Sequence, residues 1–98
     1  MGPRHFSTSQ DEHGTYFLKG ELSINDLGAL KDFLEESRQG RQEISISLAQ
    51  VRFIDTAALQ LLIAFKKGVA PDVKLRISAV SAEVDHILSL CGLKSALL

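Results

Sequence analysis

Three helical patterns, each stopped by a glycine, alternate with short strand-like runs, and this punctuation limits the architecture most. "SINDLGALKDFLEESRQG" places Leu27, Leu30, Phe33 and Leu34 on one helical face and ends at Gly40. The stretch 55–68 ends at Gly68. "SAEVDHILSLCG" spaces Val84, Ile87, Leu88 and Cys91 at i, i+3, i+4 and i+7 and ends at Gly92. Ser81 suits the N-cap of this last helix, and Glu83 and Asp85 suit its positive end. Between the helices, "EISISL" and "VKLRISAV" alternate apolar and polar residues, as half-buried strands do. "TYFL" favours a strand that Gly20 closes, and "RHFSTSQ" before it pairs as an edge strand through a hairpin at "DEHG".

The order is β-β-α-β-α-β-α. Alternating strands and helices predict an α/β fold with a mainly parallel sheet. A chain of 98 residues holds one core, so residues 1–98 are expected to form one domain. An N-terminal hairpin makes the sheet mixed, with four or five strands. The half-polar strands predict helices mainly on one face.

Charge excludes some functions. The formal net charge is −1 and the basic residues are scattered, so no nucleic-acid partner is expected. One cysteine, Cys91, cannot form an internal disulfide, and it reads as a small buried hydrophobe. The histidines His5, His13 and His86 lack ligand spacing, so no metal is expected. His86 falls on the polar side of the last helix. The apolar run from Leu61 to Phe65 is too short to span a membrane, and "MGPRHFSTSQ" has no signal-peptide core. The expected location is cytoplasmic. Glycine-rich phosphate loops and nucleophile motifs are missing, so neither an enzyme nor a cofactor is expected. Asp55 follows a strand as a phosphoacceptor would, but the acidic pair and lysine that chemistry needs have no clear candidates.

The stretch "VRFIDTAALQLLIAF", residues 51–65, carries the candidate site. Asp55 or Thr56 suits the N-cap of the helix. The same unpaired N–H groups would also welcome an anion, including a phosphorylated hydroxyl. At about 100° per residue, Ala58, Leu62, Phe65 and Val69 cluster beside Leu61 as a core face. Gln60 and Lys67 lie opposite, and Ala57 and Ala64 lie on one flank. Leu59 and Ile63 lie on the other flank. Two readings of that flank stand: an exposed strip for a partner, or contact with the neighbouring helix.

"ISLAQVRFIDTAALQLLIAF" resembles the STAS domain, the fold of bacterial anti-sigma factor antagonists. "FLKGELS" resembles that family's early strand and turn, and "SAEVDHILSLCGLKSALL" its final helix. The resemblance implies a non-catalytic regulatory adaptor that docks on an anti-sigma factor, its kinase or a chemosensory kinase. It implies a contact surface of Asp55, Thr56, Ala57, Leu59, Gln60, Ile63 and Lys67. The family's phosphorylated serine is the second residue after the aspartate. Here that residue is Ala57, Ala58 replaces the usual glycine, and Ser23 replaces an aspartate in the early turn. Thr56 keeps a hydroxyl and is the phosphorylation candidate. The threonine followed by small residues also resembles the STAS subunit of phospholipid-transport ABC complexes, which implies docking on a cytosolic ATPase as the alternative.

Overall fold

The computed structural model describes residues 4–40, 42–68 and 74–98. In chain order the elements are β1 (Phe6–Gln10), β2 (Tyr16–Leu22), a 3-10 turn (Ile24–Asp26), α1 (Leu27–Arg38), β3 (Glu43–Ile54), α2 (Thr56–Gly68), β4 (Lys74–Val80), α3 (Ala82–Cys91) and α4 (Lys94–Leu97). The strands lie in the order β1-β2-β3-β4. β1 is antiparallel to β2, while β2, β3 and β4 are parallel, so the sheet is mixed.

Both parallel connections, β2–α1–β3 and β3–α2–β4, advance in the same direction across the sheet. Right-handed crossovers then put α1 and α2 on one face. The strands direct Leu18, Leu22, Ile44, Ile46, Leu48, Val51, Ile54 and Leu75 into one buried cluster. There they meet Leu30 and Leu34 of α1, Ala58, Leu59, Leu62 and Ile63 of α2, Val84 and Leu88 of α3, and Leu97 of α4. Alternation leaves Ser7, Lys19, Ser45 and Arg76 for the opposite face.

Four features differ from the sequence reading. β3 runs on past "EISISL", the part expected to be a strand, through "AQVRFI" to Ile54. Its buried apolar positions step by two through Ile44, Ile46 and Leu48, then by three to Val51 and Ile54. Register irregularities against β2 cause that change of step and hide the strand from a period-two pattern. Gly20 lies inside β2 and does not close it. Its φ is +107°, and a Cβ there would sit 2.6 Å from the His5 carbonyl oxygen. The Glu21 N–H donates to that same oxygen at 3.0 Å, so β1 begins where only a glycine lets it approach.

The third difference is α4, a short helix absent from the expected order. Gly92 adopts φ +68° after α3, and the Leu93 N–H then reaches back to the Leu88 carbonyl at 2.9 Å. The turn folds α4 against α2 and α3. The fourth is Cys91, which is exposed rather than buried. Val84 and Leu88 already fill the inward face of a short helix, and Cys91 sits in its last turn, beyond that contact. His86 is exposed, as expected. Val69 and Val73 lie outside the described residues. Among those described, no helix is long and apolar enough to cross a membrane.

Candidate functional site

Asp55 is the single residue between β3 and α2. Every polar group it carries is engaged by its own chain. Its N–H donates to the Leu22 carbonyl at 3.1 Å, which extends the β2–β3 ladder past the strand end. Its carbonyl accepts the Leu59 N–H at 3.0 Å, the first bond of α2. Carboxylate Oδ1 accepts the Ala58 N–H at 2.9 Å, which caps the helix. Oδ2 accepts the Ile24 N–H at 2.8 Å. The side chain therefore joins the start of α2 to the loop after β2.

A second carboxylate works beside it. Asp26 Oδ2 accepts the His5 N–H at 2.9 Å and lies 3.0 Å from His5 Nδ1. The backbone N–H of His5 is the main cause that holds the Asp26 carboxyl below its ordinary value of 3.8, and the His5 ring and Arg4 add to it. Ser23 Oγ accepts the Asn25 N–H at 3.3 Å and caps the 3-10 turn. Asp26 and Asp55 thus tie together the start of β1, the loop after β2 and the start of α2. This is structural chemistry: hydrogen-bonded carboxylates holding backbone N–H groups.

The neighbouring residues differ in exposure. Thr56, Gln60, Ala64 and Lys67 are exposed and fall on one side of α2, and Ala57 is half-buried. Among the described residues no hydrogen bond engages the Thr56 hydroxyl. Leu59 is 0% exposed and Ile63 6%, so of the two readings of that flank the packed one holds. The wheel placed the core too close to Leu61 and Phe65. Those two are only half-buried and line an open groove with Lys31, Glu35 and Arg38 of α1. The Leu59 and Ile63 side of α2 instead shares its flank with Lys66, whose Nζ donates to the Leu97 carbonyl at 2.6 Å. α4 lies on that side, and a helix not expected from the sequence cannot enter the wheel.

One exposed residue at the corner escaped the sequence reading. Ile24 is 64% exposed, and its N–H is held by Asp55. The only signal was an isoleucine inside the polar turn "SIND". Phe53, 49% exposed, precedes the corner on β3. Among the described residues no group of three or more His, Cys, Asp or Glu is placed to hold a metal ion.

A family model described as "Mlab, STAS domain" matches residues 5–98. Among solved structures, an anti-sigma factor antagonist from Mycobacterium paratuberculosis is similar with a TM-score of 0.75 and 16% identity, over 92% of this chain and 79% of that one. The anti-sigma factor antagonist SpoIIAA in its unphosphorylated form has a TM-score of 0.68 and 14% identity, over 95% of this chain and 85% of that one. A structure titled "Crystal Structure Analysis of Mglu" has a TM-score of 0.56 and 21% identity, over 74% of this chain but 19% of that one. No curated protein matches this chain. At these identities the solved structures speak for the fold alone.

Proposed function

The chain belongs to the STAS-domain family, and on that premise we propose that residues 1–98 act as one non-catalytic regulatory domain that docks on a signalling kinase or an anti-sigma factor. The observation that carries this reading is the division of labour at the corner. Asp55 is consumed by internal bonds, while Thr56, Gln60 and Lys67 are exposed on α2. The docking surface is Thr56, Ala57, Gln60 and Lys67, with Ile24 as an apolar contact beside them. Leu59 and Ile63 support it from beneath. Asp55 shapes it.

Ala57 has no hydroxyl, so phosphate transfer at the family's serine position has no acceptor in this chain. Thr56 is the hydroxyl that remains at the corner. A phosphate there would sit at the N-terminal turn of α2, where a negative charge is favoured.

The second reading, docking on the cytosolic ATPase of a phospholipid-transport ABC complex, draws on the exposed Thr56 followed by Ala57 and Ala58. One experiment separates the two. Wild type and Gln60→Arg are used to capture partners from a native lysate, and the retained proteins are identified by mass. Gln60 is exposed, so the variant should keep its stability within about 0.5 kcal/mol. A kinase or anti-sigma factor lost in the variant supports the signalling adaptor, and an ATPase lost in the variant supports the transporter subunit. Equal capture of every protein by both forms refutes this docking surface. Intact mass after incubation with the captured kinase and ATP then tests Thr56: a gain of one phosphate that Thr56→Val abolishes is the expected result.

A further inference from the structure

The two edges of the sheet are built differently. β4, at one edge, carries Lys74 and Arg76 and a register irregularity against β3. Charges and bulges are standard protection against pairing with another chain. β1, at the other edge, reads FSTSQ and pairs with β2 in continuous register. It contains no charge, no proline and no bulge.

The ladder shows which groups β1 leaves free. The Asp11 N–H donates to the Thr15 carbonyl, and the Glu21 N–H donates to the His5 carbonyl. In an antiparallel pair the direction of backbone groups alternates. Odd-numbered residues therefore turn their N–H and C=O groups toward β2. Phe6, Thr8 and Gln10 turn theirs outward, and among the described residues no strand lies beyond them.

The charges around β1 are antisymmetric. Arg4 precedes it, and Asp11 and Glu12 follow it. Arg4 lies over the Phe6 ring at 4.8 Å and makes no salt bridge among the described residues. Turning "RHFSTSQDE" end to end about Thr8 sets its basic end against its acidic end. The same operation sets Phe6 opposite Gln10 and Thr8 opposite itself, so every outward-facing backbone group of the strand meets a complement. A slip of two residues in either direction breaks both matches.

We propose that β1 is a self-complementary edge, and that two copies of this chain associate through antiparallel β1–β1 pairing about a two-fold axis at Thr8, forming one continuous sheet. Such an interface is isologous, so it closes as a dimer and does not propagate. It is also small, and weak reversible association is expected, with Kd in the range of about 1 µM to 1 mM. α2 connects β3 to β4, and β2 lies between those strands and this edge. The proposal does not depend on what docks at the corner of Asp55 and Thr56.

The test is sedimentation velocity of the full chain from micromolar concentration up to about 1 mM, with amide hydrogen exchange at both ends of the range. Wild type should shift toward twice the monomer mass, and the amides of Phe6, Thr8 and Gln10 should gain protection as it does. Thr8→Pro removes one outward N–H without touching the β1–β2 ladder, so it should stay monomeric with the native circular dichroism spectrum. Arg4→Glu should weaken association at least several-fold. Arg4→Glu combined with Glu12→Arg should restore it, because the swap recreates the same pairing across the axis. That arm stands even if the proline variant misfolds. Monomeric wild type at the highest concentration overturns the proposal. So does a dimer that survives in folded Thr8→Pro, or an Arg4→Glu variant that dimerises like wild type.

Discussion

Replacing Asp55 with alanine tests whether this residue is part of the frame or part of the contact surface. The substitution removes two acceptor oxygens, one from the Ala58 N–H and one from the Ile24 N–H. Loss of an N-cap costs about 1 kcal/mol. Loss of the second bond costs roughly 1–2 kcal/mol, because the carboxylate is charged and water replaces only part of the interaction. The sum is about 2–3 kcal/mol. For a chain near 100 residues, each kcal/mol moves Tm by about 4–8 °C, so the melting temperature should fall by roughly 8–24 °C. Asp55→Asn separates the two bonds. Its amide oxygen still caps the helix, but its NH2 then faces the Ile24 N–H, donor against donor. It should cost about half as much as alanine. Thermal melts by circular dichroism give the ranking, and the amide shift of Ile24 reports the lost bond directly. A loss under about 4 °C for alanine would refute the clamp. Equal losses for alanine and asparagine would refute the assignment of separate jobs to the two oxygens. Below its own melting temperature, Asp55→Asn should still bind the partner close to wild-type affinity, because the carboxylate faces inward.

Ile63, 6% exposed, should behave as core: Ile63→Ala should cost about 2–5 kcal/mol in urea unfolding, and Ile63→Glu should abolish the cooperative melt, while a folded glutamate variant would contradict the packed reading. Gly20→Ala should cost about 1–3 kcal/mol, since an added Cβ meets the His5 carbonyl at a positive φ; chemical denaturation gives the value, and an unchanged midpoint would refute the close approach. The Asp26 carboxyl, followed by carbon-detected NMR, should titrate below its ordinary value of 3.8. Its folded value is depressed, so the stability it contributes is present above the unfolded value and is lost as pH falls through the folded one. His5→Ala should leave Asp26 partly depressed, because the leading cause is the His5 backbone N–H, which alanine retains.

Much of the frame is local and therefore legible. Glycines with positive φ at 14, 40 and 92, the Ser81 cap whose Oγ accepts the Val84 N–H, and the period of each helix are properties of neighbouring residues. They fix the element order, and that order with the rule of right-handed crossovers fixes a mixed sheet with helices on one face. Asp55 is legible in the same way as the cap of α2, since capping is decided within three residues.

The rest depended on residues far apart in the chain. Whether Leu59 and Ile63 face solvent depends on what packs over them, and on their side of α2 Lys66 is bonded to the Leu97 carbonyl, some thirty positions later. A helical wheel ranks the sides of one helix but cannot say which side a distant segment covers. The second bond of Asp55, to Ile24, crosses from one loop to another, so the sequence identified a cap and the tertiary structure made it a clamp. Gly20 reads as a strand end because glycine usually interrupts strands; only the approach of the His5 carbonyl explains a glycine inside one. By itself the sequence determined the elements up to α3, their order and the residue at the corner. Tertiary packing decided which faces of those elements remain for a partner, because burial belongs to pairs of surfaces and not to either one alone.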